Sequence, residues 1–148
     1  MRSFPLSLFP KLSVLIIWEC ENLESFSIEE GVDENLSHLS TLSINDCPEL
    51  VLRASVGEYW GLQGLISLEH FSMGGRGSDD FLETLLKEQL LPSTLHSLRI
   101  WGLSSLKSLD RKGLGHLTSL EELYISECDS IQFLPEEGFP PFLSFLRI

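Results

Sequence analysis

The chain has 148 residues, 43% of them hydrophobic, with 22 acidic against 10 basic side chains and a formal net charge of −12. That balance argues against nucleic acid and anionic membranes as partners, because both are held through lysine and arginine. No apolar run approaches the ~18 residues that a membrane-spanning helix requires.

An apolar skeleton recurs along the chain. It first runs through Leu12, Leu15, Ile17, Cys20, Leu23 and Phe26, then through Leu39, Leu42, Ile44, Cys47 and Leu50. A weaker copy opens at Leu68, Phe71 and Met73. Further copies run through Leu95, Leu98, Ile100, Leu103, Leu106 and Leu109, and through Leu120, Leu123, Ile125, Cys128, Ile131 and Leu134. A short last copy holds Leu143, Leu146 and Ile148. The leading leucines stand at 12, 39, 68, 95, 120 and 143, in steps of 27, 29, 27, 25 and 23. That period and skeleton predict a leucine-rich repeat array. Residues 1–148 read as one such domain of about six units, the last of them truncated.

Within each unit the L-x-x-L-x-I segment alternates apolar and variable positions, the period of a strand. Stacked in parallel, such strands predict an α/β solenoid with a curved parallel sheet on its concave face and mostly irregular convex arms. The cysteine three residues after the strand isoleucine fills a small, inward-turned position. Cys20, Cys47 and Cys128 share that position and are odd in number, so they form no disulfide framework. They are expected to be buried, reduced and separate, in a reducing, cytoplasmic compartment. No CxxC pair or clustered histidine suggests a metal, and His38, His70, His96 and His116 lack ligand spacing.

Taken in order, Met1-Arg2 and the run Leu12–Trp18 bear a faint likeness to a signal peptide. Pro5, Pro10 and Lys11 interrupt it, and the repeat skeleton already accounts for Leu12, Leu15 and Ile17. The first return arm carries the acidic run Glu29–Glu34, read as a solvated loop because its spacing is not that of a calcium loop. Asn35-Leu36-Ser37 is a glycosylation sequon that matters only in a secreted protein. In the second arm, Tyr59 and Trp60 read as covering the edge of the array. The third unit has Gly74-Gly75-Arg76-Gly77-Ser78, with Arg76 where cysteine is expected. Its glycines suggest a phosphate loop, but no Gly-Lys-Ser/Thr follows.

From Ser78, an expected N-cap, Phe81, Leu82, Leu85, Leu86 and Leu90 fall on one helical face. Asp79 and Asp80 suit the positive end of the helix dipole and Pro92 its stop. This is the one convex helix predicted, near 79–90. The fourth arm is basic, with Lys107, Arg111 and Lys112. The fifth, Leu134–Pro141, holds prolines and a glycine that favour an extended return. The terminal strand at Leu143–Ile148 has no polar cap, so fraying or self-association is expected there.

Several stretches resemble the C-terminal leucine-rich repeats of plant intracellular disease-resistance proteins of the coiled-coil nucleotide-binding class. They are Leu90–Ile100, Lys112–Ile125, Leu134–Gly138 and Leu143–Ile148, together with the cysteine after the strand. The third unit departs from that pattern in lacking the cysteine. No Walker-type loop is present, so the family's ADP/ATP switch maps onto no residue of this chain, and no cofactor is expected in it. The resemblance implies a protein-recognition module of innate immunity, present as a fragment or truncated product. It would sense a pathogen effector or a guarded host protein, or restrain the nucleotide-binding domain of the same receptor. The alternatives are a substrate-binding adaptor of the ubiquitin-ligase type, marked by an upstream F-box, and a non-functional truncated receptor fragment. An enzyme is not expected, since no nucleophile motif frames the serines, histidines and aspartates.

The outward strand positions define the candidate protein-binding residues. One row is Ile16, Ser43, Ser72, Arg99, Tyr124 and Arg147, and the next is Trp18, Asn45, Gly74, Trp101 and Ser126. Trp, Tyr and Arg are the types enriched at interface hot spots. The candidates are therefore Arg99, Trp101, Tyr124, Arg147 and Trp18, with Glu121, Glu122 and Glu127 as a mixed-charge rim. Arg99 and Arg147 flank Tyr124 at cation–π spacing. Replacing Trp101 or Tyr124 with alanine is expected to weaken binding by about 2 kcal/mol with the fold intact.

Overall fold

The computed structural model describes residues 2–27, 38–55, 65–132, 134 and 137–148. The acidic run at 29–34, the sequon at Asn35, Tyr59 and Trp60 lie outside the described residues. The protein is α/β, mostly parallel sheet with few helices. Strands β2 (Val14–Trp18), β4 (Thr41–Asn45), β5 (His70–Gly74), β6 (Ser97–Trp101), β7 (Glu122–Ser126) and β8 (Phe145–Arg147) form one parallel sheet in chain order. Register follows the sequence skeleton position for position: Leu15 pairs with Leu42, Leu42 with Phe71, Phe71 with Leu98, Leu98 with Leu123, and Leu123 with Leu146.

Every second residue of these strands points into one continuous core. Leu42, Ile44, Phe71, Met73, Leu98, Ile100, Leu123 and Ile125 are buried there, whereas Leu146 and Ile148 are exposed. The sheet is closed at both ends of its strands by a repeated backbone device. At each strand entrance one carbonyl accepts two N–H groups of the next unit: Ser13 from Ser40 and Thr41, Ser40 from Glu69 and His70, Glu69 from His96 and Ser97, and His96 from Glu121 and Glu122. At each strand exit the following residue is left-handed, as at Glu19 (φ 51), Asp46 (φ 50), Gly75 (φ 88), Gly102 (φ 66) and Glu127 (φ 53). The left-handed residue swings the chain inward while its N–H still bonds the neighbouring strand. The N–H of Glu19 reaches Asn45, that of Asp46 reaches Gly74, that of Gly75 reaches Trp101 and that of Gly102 reaches Ser126.

Among the described residues three α-helices, not one, lie on the core side of the sheet: α1 (Pro48–Ser55), α2 (Ser78–Lys87) and α3 (Arg111–His116). They pack in series, α1 on α2 and α2 on α3. Leu50, Val51, Phe81, Leu82, Leu85, Leu86 and Leu114 join them to the sheet core. The expectation of mostly irregular arms is corrected for the second and fourth units. In α1 a proline at the first helical position follows Cys47 directly, where its missing N–H costs nothing. In α3 two glycines, Gly113 and Gly115, lower intrinsic helix propensity. The Asp110 carboxylate offsets this by capping the Gly113 N–H at 2.8 Å.

The limits of α2 also differ from the sequence reading. The cap is Gly77, left-handed at φ 78, and Ser78 is the first helical residue, buried, donating its hydroxyl to the Gly74 carbonyl at 3.1 Å. The helix ends at Lys87, before Leu90, because Gln89 turns left-handed at φ 53. Asp79 serves more than the helix dipole: its carboxylate accepts from the N–H groups of Ser105 and Leu106 at 3.0 and 3.1 Å and ties the next unit to α2.

A second, two-stranded parallel sheet, which the skeleton did not foretell, pairs β1 (Ser3–Pro5) with β3 (Ser25–Ser27). Phe4 anchors it, stacked on Phe9 and edge-on to Phe26, with Leu6 buried beneath. Among the described residues no helix is long and apolar enough to cross a membrane.

Candidate functional site

The face of the main sheet away from the helices carries the variable strand positions. Register places Ile16, Ser43, Ser72, Arg99, Tyr124 and Arg147 in one row, strand by strand. Trp18, Asn45, Gly74, Trp101 and Ser126 form the next row toward the strand exits. All five candidate residues line a single open groove of about 780 Å³. A smaller hollow of about 320 Å³ continues the same face toward Thr41 and His70.

The second row is bound up with itself. Trp18 and Trp101 belong to strands three places apart, roughly 14 Å at the usual strand spacing. Their rings nevertheless stack at 5.9 Å with an interplanar angle of 14°. Trp101 reaches across by lying over Gly74. A β-carbon added at Gly74 would meet the Trp101 carbonyl oxygen at 2.3 Å and its indole at 2.5 Å, so only glycine admits this pose.

Beyond Gly74 the indole Nε1–H donates to Asn45 Oδ1 at 2.7 Å. Asn45 is consequently buried, although alternation assigns it to the open face. Its Nδ2 donates to Ser43 Oγ at 2.8 Å and to the Ile17 carbonyl at 3.5 Å. Trp101 is thus bound into the sheet as well as lining the groove. Trp18 remains 57% exposed and offers its outer face.

The first row is arranged differently. The Arg99 guanidinium lies 4.3 Å from the Tyr124 ring centroid, and Tyr124 tilts against Phe145 at 5.0 Å. Arg99 and Arg147 are exposed and Tyr124 is half-buried. The pairing of Arg99 with Tyr124 follows the spacing read from the sequence. Phe145, an exposed partner of Tyr124, was missed there because it stands outside both rows, paired in register with Glu122.

The glycine-rich loop after β5 holds an anion, but one from this chain. The Arg76 N–H donates to Asp46 Oδ1 at 3.2 Å, and a β-carbon on left-handed Gly75 would meet that same oxygen at 2.1 Å. A carboxylate of the neighbouring unit therefore occupies the space beside the loop whose glycines suggested a phosphate. The Arg76 side chain pairs with Glu21 at 3.1 Å, which raises its pKa further.

All three cysteines are free thiols, each donating to the carbonyl two residues back: Cys20 to Trp18, Cys47 to Asn45 and Cys128 to Ser126. Cys47 is buried. Cys20 and Cys128 are half-buried, which corrects the expectation of three buried thiols. The reason is lateral: Cys47 has a strand-exit turn on both flanks, and the other two have one on a single flank. Burial pushes the thiols of Cys47 and Cys128 above the ordinary value of 9.0. Among the described residues no group of His, Cys, Asp and Glu side chains is placed to hold a metal ion.

The chain is similar to a protein of Arabidopsis thaliana named as a disease resistance protein. The two are 30% identical over 217 residues, a match that takes in 99% of this chain. It spans 15% of that relative's length. No protein-family model matches the chain, and no solved structure matches it.

Proposed function

We propose that this chain is a leucine-rich repeat solenoid that recognises protein in plant immunity. Residues 1–148 would form one domain of about six units beginning near 12, 39, 68, 95, 120 and 143. One observation carries the reading: register sets the variable residue of every unit into common rows that face a single open groove. Serial units of this kind gain area for macromolecular contact with each strand, which is how solenoids bind proteins. The relative named for disease resistance supports the immune setting.

The chain would act by binding, without catalysis and without a cofactor of its own. An ADP/ATP switch would belong to a nucleotide-binding domain elsewhere in a longer receptor. Its partner in the cytoplasm would be a pathogen effector, a guarded host protein or that same nucleotide-binding domain.

Site-specific photocrosslinking in plant cells tests the assignment to the strand face. A photoreactive residue in place of Ser72, in the groove, is expected to yield adducts with another polypeptide segment. One in place of Glu83, exposed on α2, is expected to yield none. Adducts from the Glu83 position alone would move recognition to the helical side.

A further inference from the structure

The chain has 22 acidic residues and six arginines, so no arginine lacks a carboxylate for want of supply. Four of the six are paired: Arg2 and Arg53 with Glu24 at 4.0 and 3.4 Å, Arg76 with Glu21 at 3.1 Å, and Arg111 with Glu137 at 3.6 Å. Among the described residues Arg99 and Arg147 make no ion pair. These two are the arginines of the groove, placed on either side of Tyr124 in one row. Two strand spacings separate their backbones, about 10 Å. Tyr124 orients the Arg99 guanidinium through its ring face, an interaction that leaves the N–H edge free to donate to an anion.

From this we infer that the groove takes an extended acidic segment of a partner protein. Two carboxylates would meet Arg99 and Arg147, and an apolar side chain further along the segment would rest on the exposed face of Trp18. The spacing suits acidic residues three apart in an extended segment of polyproline II conformation, whose three residues per turn set both on one face roughly 9 Å apart. An acidic ligand also agrees with the charge pattern. In a chain of net charge −12, a local pair of uncompensated guanidinium groups selects for carboxylates, while the remaining surface repels acidic proteins that miss the groove. Glu127, at the strand-exit rim, is the one carboxylate among the described lining residues and keeps the ligand's acids on the arginine row. The inference rests on the protein-recognition reading and adds the chemistry of the partner.

The test uses the full chain and immobilised pools of short peptides. Each pool fixes two residues three positions apart as Asp, as Asn or as Lys, with uncharged residues elsewhere. Retention on the Asp pool is expected to exceed that on the Asn pool by about tenfold, the worth of one charged hydrogen bond at the low end of its range. The excess should shrink as salt rises.

The double variant R99Q and R147Q is expected to bind both pools equally. Its unfolding midpoint in urea should drop only slightly, since among the described residues neither arginine has an ion pair and Arg99 loses only its contact with the Tyr124 ring. An Asp preference that survives in the double variant overturns the assignment, as does retention of no pool at all. Equal retention on the Asp and Asn pools that is lost in Tyr124→Ala overturns the acidic ligand alone and leaves peptide recognition by this face standing.

Discussion

The two ends of the groove both offer side chains of types typical of interfaces at outward strand positions, yet the structure uses them differently. At one end Trp18 and Trp101 lie down on the sheet, stacked on each other and bonded to Asn45. At the other end Arg99 and Arg147 stand exposed on either side of Tyr124, without carboxylate partners among the described residues. What separates them is the neighbour in register. Trp101 has Gly74 beside it and a buried amide oxygen one strand further on. Arg99 has Ser72 on one flank and an aromatic ring on the other. A residue type typical of interfaces becomes part of the scaffold when the next strand gives it room and an acceptor. It stays available for a partner when the next strand gives it neither.

The sharpest way to break this comparison is to close the space that lets Trp101 lie down. Gly74→Ala places a methyl group against backbone as well as ring, so either the strand shifts or the indole is expelled and Asn45 loses its donor. A stability loss of about 3 kcal/mol is expected in urea unfolding, at the upper end of overpacking costs. An unchanged unfolding midpoint would mean that the indole does not rest on Gly74.

Next in size are the tryptophans themselves. Trp101→Ala strips Asn45 Oδ1 of its indole donor and uncovers the sheet, with an expected loss of about 2 kcal/mol. Trp18→Ala removes only one stacked ring from a half-open position, with an expected loss of about 1 kcal/mol. Near-UV circular dichroism of the stacked pair should vanish equally in both variants, so the spectroscopic effect is shared while the energetic one is not. Equal stability losses would show that stacking, and not the bond to Asn45, holds the clasp.

The limits of sequence reading fall along the same line. Strand positions, register and the two outward rows are legible in the sequence because Leu, Ile and Cys recur with little change in length between units. The clasp was not legible, since it joins residues of four strands whose pairing shows only once the sheet is assembled. Gly74 and Asn45 carried the signal: a glycine and an amide among outward residues, one strand apart and next to a tryptophan. The short helices escaped for local reasons, a proline opening α1 and two glycines within α3. The cysteines were legible in position, but their burial depends on lateral neighbours that no single unit contains.

Those thiols give the smallest effect and a separate measure of how the two ends differ. Cys47 donates to the carbonyl of Asn45, behind the clasp, and Cys128 donates to that of Ser126, behind the open end. Iodoacetamide is therefore expected to label Cys20 and Cys128 well before Cys47, which is fully buried. Equal labelling of Cys47 and Cys128 would show that the clasp end is no more closed than the other. The pH dependence has a definite sign. Burial raises the Cys47 and Cys128 pKa above 9.0, so the folded chain holds both protons more tightly than the unfolded chain does. Their contribution to stability is complete below that value and is lost as pH rises through the folded pKa. The urea midpoint should accordingly fall above pH 9, and fall less in a variant carrying Ala at positions 47 and 128. An identical decline in that variant would assign the alkaline loss to groups other than the thiols.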